Sequence, residues 1–367
     1  MLKMRGIRSS IFLIVAVLIA VGIVMIYSAS AIYAYSNMGD SLYFLKRHLI
    51  YLGIGLVMML FAMSIDIDRL KQFAKPIMAT SIILLVLVLI PHIGKEIAGA
   101  KRWFRLGMVN FQPSELAKIA IIVYMADFIS RKEVAIKKLL HGYVPAILVL
   151  GLMVGLILLE PDLGTAITIS IIAVIMLFVG GARPSHILVS FLASMPALYV
   201  LLFSVPYRRK RIMAFLNPWA DKRGTGFQII QSFVALGSGG LFGVGLGQSK
   251  QKLFYLPASH TDFIFSIIGE ELGFVGAACV VMLFALFVWQ GMKVSFKVIG
   301  TFEKLLGLGI VSLIALEAII NIGVTAGALP TKGLPLPFIS YGGSGLIFHL
   351  TAIGLFLNIA KTCETYQ

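Results

Sequence analysis

Ten runs of apolar residues, near 11–33, 48–64, 76–91, 114–129, 143–159, 163–181, 185–206, 263–290, 305–328 and 345–360, occupy more than half of the 367-residue chain. In hydrocarbon every backbone N–H and C=O must find its partner inside the segment, so a crossing needs a helix of about 20 residues or a closed barrel. These runs are apolar on nearly all faces, which suits helices in lipid and not amphipathic surface helices. A barrel would show weakly alternating segments of about ten residues. Composition agrees: the chain is 59% hydrophobic and 13% charged, against roughly 45–50% and about 25% for a soluble domain. That excludes a cytosolic enzyme, a secreted disulfide scaffold and a disordered chain. The expectation is an all-α, polytopic integral membrane protein of about ten transmembrane helices, with residues 1–367 forming one membrane domain.

Charge asymmetry tests the count and orients it. With the N-terminus in the cytoplasm, fifteen Lys and Arg fall on the cytoplasmic side, Arg131, Lys132, Lys137 and Lys138 among them, and seven fall in short outer loops. Cytoplasmic loops collect such residues. If the fourth run did not cross, Arg131–Lys138 would face outward and the bias would collapse. Ten helices with both ends inside is the consistent solution. Lys3, Arg5 and Arg8 precede an uncleaved first helix, although Ser28–Ala31 bears a faint likeness to a signal-peptidase site. The net charge of +15 follows from loop placement and anionic lipid. No motif for nucleic acid accompanies it. Cys279 lies in an apolar run and Cys363 in the tail, without metal-ligand company. The one irregular piece, 207–262, is expected outside, with surface helices at Arg208–Leu216 and Phe227–Leu236 and a glycine-rich loop after them.

Charges placed against this scheme mark candidate chemistry. Glu115, Lys118 and Asp127 sit in the fourth run, where an ionised group costs several kcal/mol (roughly 3 at a helix centre) unless paired or hydrated. Glu115 and Lys118 are spaced to pair, so a structural ion pair and a substrate contact both remain open for them. Arg102, Arg105, Lys118, Lys252 and Lys332 are cations on the disfavoured side. Lys332 lies in a Gly- and Pro-rich strip, 327–344, whose backbone N–H groups would suit a pyrophosphate; headgroup anchoring explains such cations equally. Asp262 stands where a loop enters a helix, beside His260, and is either an N-cap or a reacting carboxylate. Glu160-Pro161-Asp162 repeats the pattern, Asp162 reading as a cap and Glu160 being harder to dismiss.

Taken together these residues resemble the SEDS family (shape, elongation, division and sporulation). The carrying stretches are Lys101–Phe104 (KRWF), Asn110–Lys118 (NFQPSELAK), Glu160–Thr165 (EPDLGT), Asn217–Trp219, Gly226–Ser232 (GFQIIQS), His260–Phe265 (HTDFIF), Gly269–Gly273 (GEELG) and Leu336–Gly343 (LPFISYGG). The segment 228–256 is more similar to the division-type members than to the elongation type. The resemblance implies the ten-helix SEDS fold in a bacterial plasma membrane, with the active site on the extracytoplasmic side. It implies an inverting glycosyltransferase that polymerises lipid II into β-1,4 glycan during septal wall synthesis, releasing undecaprenyl pyrophosphate. Asp262 takes the essential role, as the base for the acceptor hydroxyl or as a ligand to a divalent cation, Mg or Mn. Arg102, Glu115, Lys118, Glu160, His260, Lys332 and Ser340 match polar positions that bind substrate or build the site. The implied partners are a class B penicillin-binding protein and other membrane proteins of the division machinery. A lipid II flippase and a noncatalytic scaffold for the transpeptidase are the rival functions.

Overall fold

The computed structural model describes residues 2–97, 100–107, 109–222 and 224–365, with the side chains of 2–5, 95–97, 100, 101, 106 and 362–365 left aside. The expectations placed on Lys3, Arg5, Lys101 and Cys363 fall outside the described side chains.

The helices are α1 (Leu2–Met38), α2 (Tyr43–Ser64), α3 (Ile67–Gln72), α4 (Ala74–Leu89), α5 (Pro113–Arg131), α6 (Val144–Leu159), α7 (Leu163–Val179), α8 (Pro184–Phe203), α9 (Pro206–Leu216), α10 (Phe227–Ser238), α11 (Ile264–Lys297), α12 (Thr301–Thr325) and α13 (Ser344–Thr365). Each of the ten apolar runs has its helix. Among the described residues seven helices are long and apolar enough to cross a membrane, while α4 and α7 are shorter apolar helices. The tenth, α5, is interrupted by Glu115, Lys118 and Asp127 yet is buried along most of its length, each of these three charges included. It survives in an apolar bundle because α4, α7, α12 and α13 surround it. The chain is an all-helical, multi-pass membrane protein.

The bundle is layered by burial. Helix α12 is buried over most of its length, whereas α8 has no buried residue. Helices α2 and α13 lie together closely: a Cβ on Gly354 would come within 2.3 Å of the Met59 carbonyl, and one on Gly55 within 2.6 Å of Leu350 Cδ1. Small residues at such contacts let helix backbones approach where lipid offers no competing hydrophobic drive.

Two features depart from the sequence expectation. Between α4 and α5 the loop forms a three-stranded antiparallel sheet, β1 (Lys95–Ile97), β2 (Ala100–Leu106) and β3 (Val109–Phe111), in the order β1-β2-β3. The helix after Asp262 is also broken, at Gly273 (φ 70°, ψ −168°). Backbone N–H groups of Val244 and Gly245 donate to the Glu270 and Glu271 carbonyls, and those of Phe274 and Val275 donate to Gly240 and Leu241. The glycine-rich loop thus satisfies the polar groups that the break frees, the only kind of irregular backbone tolerated at membrane depth. A Cβ at Gly273 would lie 2.3 Å from the Gly243 nitrogen, so glycine is required there.

Side chains tie the same loop down. The Glu270 carboxylate accepts from the backbone N–H of Lys250 (2.9 Å) and the Ser249 hydroxyl. Glu271 accepts from the Lys252 ammonium (2.8 Å) and the Ser28 hydroxyl of α1 (2.7 Å). These two buried carboxylates anchor residues 239–262, and with them the loop that presents Asp262.

Candidate active site

Asp262 lies between two stitched loops. Ser340 donates its hydroxyl to the Thr261 carbonyl (2.6 Å) and accepts from the Leu336 N–H (2.8 Å). Tyr341 N–H donates to the His260 carbonyl (3.0 Å), and the Asn321 amide donates to the carbonyls of Asp262 (2.9 Å) and Leu334 (2.8 Å). The carboxylate itself sits above Gly333, where an added Cβ would meet Oδ2 at 3.0 Å. Among the described residues it accepts no hydrogen bond, and the N-cap of α11 is Phe263, without a side-chain cap. The capping explanation therefore falls away. Burial pushes the Asp262 carboxyl up to about 6, with Arg211 acting in the opposite direction.

The other candidates divide into three groups. The first is a turn. Arg102 donates from Nε to the Glu160 carbonyl (2.7 Å) and from Nη2 to the Pro161 carbonyl (2.6 Å), with Nη1 3.9 Å from Asp162 Oδ2. Two faces of its guanidinium are thus engaged by the chain. Asp162 is the N-cap of α7, accepting from Thr165 N–H (3.1 Å) and Thr165 Oγ1 (3.0 Å). Glu160 is fully buried, with both carboxylate oxygens unpartnered. Burial raises its pKa to about 8, helped by Asp162 and opposed by Arg102, so it is predominantly neutral at pH 7. Lys332 completes the group as a half-buried amine with no ion pair among the described residues; burial lowers it to about 8, and Asp162 pulls the other way.

The second group is closed. Lys118 Nζ lies 2.8 Å from Glu115 Oε2 and 2.5 Å from Glu317 Oε1, and His349 Nε2 lies 2.6 Å from Glu317 Oε2. The expected Glu115–Lys118 pair is present, enlarged by two residues that sequence reasoning did not select. All four side chains are buried, joining α5, α12 and α13.

The third group is His260 and Ser340. The His260 ring packs against Phe44 (4.5 Å between centroids), Tyr33 and Tyr341, and burial holds it down at about 4, hence neutral. Ser340 spends its hydroxyl on the two loops. Both residues position Asp262's backbone. Arg211, Asn321 and Asp162 are the neighbours that sequence reasoning missed or took only as a cap. An Asn in the apolar run 305–328 was the one available signal.

The residues present make no all-protein cage for a divalent cation among those described, so an ion at Asp262 would need the substrate's phosphates as its further ligands. Among the described residues no three His, Cys, Asp or Glu side chains gather as metal ligands. Asp262 offers a single carboxylate, and the charge acting on it is a cation.

Residues 8–365 match the cell cycle protein family of FtsW, RodA and SpoVE. The chain is 49% identical over 350 residues to a probable peptidoglycan glycosyltransferase FtsW of Trichlorobacter lovleyi, covering 95% of this chain and 92% of that one. It is 43% identical over 349 residues to the stage V sporulation protein E of Bacillus subtilis, covering 95% of each. Its fold superposes with a TM-score of 0.80 on a chain of a peptidoglycan synthase complex solved for its coordination of polymerization and crosslinking, at 32% identity and covering 96% and 97% of the two chains. By sequence along nearly its whole length and by fold, the chain belongs to the SEDS family, the FtsW, RodA and SpoVE proteins.

Proposed function

We propose that this protein is a peptidoglycan glycosyltransferase that polymerises lipid II, with Asp262 as general base. The observation that carries the reading is a carboxylate held between stitched loops, without a hydrogen-bond donor among the described residues and shifted to about 6. A base is most effective when its pKa lies near the working pH. In the reaction the acceptor's GlcNAc C4 hydroxyl attacks C1 of the donor's MurNAc from the face opposite the pyrophosphate. Asp262 takes the hydroxyl proton, the new C4–O–C1 bond forms, and the C1–O bond to the pyrophosphate breaks. Undecaprenyl pyrophosphate leaves with that electron pair, and inversion gives the β-1,4 linkage.

Lys332 supports the leaving group, because an unpaired amine close to the same turn favours a developing negative charge. Arg102 orders the turn that carries Glu160 and Asp162, and its remaining Nη1 face is the part available to phosphate. Neutral Glu160 adds no repulsion to an anionic substrate. The buried Glu115–Lys118–Glu317–His349 cluster fixes the helices beneath the site and takes no part in the chemistry.

The family and the charge bias support a setting in a bacterial plasma membrane with both termini in the cytoplasm and Asp262 outside. They support a division-type role at the septum, and work beside a class B penicillin-binding protein that crosslinks the product, among other division proteins. The test is glycan formation from lipid II by the purified protein in detergent, with and without that partner. Polymer in the absence of any bilayer fits a polymerase and excludes a flippase or a scaffold as the sole function. Failure to form polymer under both conditions would overturn the reading.

A further inference from the structure

A cavity of about 530 Å³ lies beside α9, lined by the end of α8, by α9 and by the turn after it. Its volume is within the range of about 300–1,000 Å³ typical of small-molecule sites. Its lining includes the cations Arg209 and Lys210, the polar Asp221 and Thr225, and the apolar Phe203 and Met213. None of these is a residue used by the proposed reaction. On the same helix, Arg211 is turned elsewhere, donating to the Thr331 carbonyl (3.2 Å) and stacking on Tyr207 (4.4 Å).

Three observations specify the occupant. First, charges of opposite sign line the cavity: Lys210 acts electrostatically on Asp221, yet no salt bridge closes between Asp221 and Arg209 or Lys210 among the described residues. Second, Asp221 accepts from Gly224 N–H (3.0 Å), Thr225 N–H (2.9 Å) and Thr225 Oγ1 (3.1 Å). A carboxylate has roughly four acceptor sites, which among the described residues leaves room for one more donor. Third, the cavity opens at the end of α8, a helix with no buried residue whose Tyr199, Val200 and Phe203 are exposed. An apolar helix surface leading up to a cavity of mixed charge is the arrangement a lipid would match.

We propose that this cavity binds the head group of an aminophospholipid. The phosphate lies between Arg209 and Lys210, the primary ammonium donates to Asp221, and the acyl chains run along α8. Charge-assisted hydrogen bonds of this kind are stronger than neutral ones. A choline head group has the same charges but no N–H to give Asp221, and a glycerol head group has no cation. The site thus distinguishes lipids that differ little in size. The inference is independent of the polymerase reading, since its readout is bound lipid.

The experiment uses the full chain in nanodiscs of equal parts phosphatidylethanolamine, phosphatidylcholine and phosphatidylglycerol with a small fraction of undecaprenyl phosphate, and native mass spectrometry to count retained lipids. Phosphatidylethanolamine should be retained about tenfold over phosphatidylcholine, the difference one charged hydrogen bond makes. R209A/K210A should abolish the preference. M213W fills the cavity with every charge left in place and should abolish it too, while K250A, an exposed cation elsewhere on the loop, should not change it. Equal retention of the three phospholipids, or a preference that survives both R209A/K210A and M213W, overturns the proposal. So does stronger retention of phosphatidylglycerol, which removes Asp221 from the site, or of undecaprenyl phosphate, which hands the cavity to the substrate's own lipid.

Discussion

The chain houses charge in two places, and it treats them in opposite ways. Between α5, α12 and α13, Lys118 is enclosed by Glu115 and Glu317, and His349 closes on Glu317. In the loops around Asp262, that carboxylate and Lys332 have no ion pair among the described residues, and backbone stitching through Ser340, Asn321 and Tyr341 holds the loops instead. A buried charge whose partners are supplied by the protein has little left to offer a ligand. A charge whose position is fixed through its backbone keeps its side chain free for one. The difference separates architecture from chemistry more cleanly than residue type does, since both regions contain a carboxylate and a lysine.

If the inner cluster is architecture, breaking it alone should be the most damaging change to stability. K118M leaves Glu115 and Glu317 buried without their cation and should cost about 3–5 kcal/mol in unfolding measured in detergent. The triple variant K118M/E115Q/E317Q should recover most of that loss, because it removes the charges together. Additive losses across the double-mutant cycle of Glu115 and Lys118 would show that they do not share a network.

The loop site should respond in the reverse sense. K332A should lower kcat/KM for lipid II by about 10–100-fold, the value of a charged hydrogen bond, with the melting temperature held near that of the parent. A normal kcat/KM would return Lys332 to headgroup anchoring.

The pH profile sharpens the assignment. Asp262 accepts a proton only when ionised, so the rate should fall about tenfold per unit as pH drops below about 6. Lys332 acts only when protonated, so the rate should fall again as pH rises above about 8. The acidic limb should vanish from the residual activity of an Asp262 variant and persist in K332A, and the alkaline limb, to which Glu160 also contributes by ionising near about 8, should vanish only in K332A/E160Q. The smallest effect is expected from S340A. It leaves the Leu336 N–H without its partner and should destabilise by about 1–2 kcal/mol, with a modest loss of rate as the Asp262 loop loosens.

Much of this was legible in the chain. Each apolar run became a helix, and the two short helices expected at Arg208–Leu216 and Phe227–Leu236 appear as Pro206–Leu216 and Phe227–Ser238. Glu115 and Lys118 were close enough in sequence to read as a pair. Glu317 lies 199 residues from Lys118, and no local pattern announces such a contact. The strands of residues 95–111 escaped because two are three residues long, too short for an alternation to register. Asp262 could be placed at a loop-to-helix junction, but its freedom from capping depends on where α11 starts. Arg211 was hidden in a run of four cations, 208–211, and only the fold turns it toward Thr331 and away from its neighbours. Ser340 and His260 were expected to bind substrate or build the site because they match polar motif positions of the family; the structure shows one hydroxyl already engaged and one imidazole packed among rings.

The central claim is that Asp262 acts through its charge and not through the fold. The direct measurement is the rate of glycan synthesis together with the melting temperature, on the same preparations of the parent protein and D262N. Asn keeps the size, and the carboxylate accepts no hydrogen bond among the described residues, so the melting temperature should barely move. Asn cannot take the hydroxyl proton, so the rate should fall by about 10²–10⁴. A well-folded D262N that polymerises lipid II at the parental rate would contradict the account.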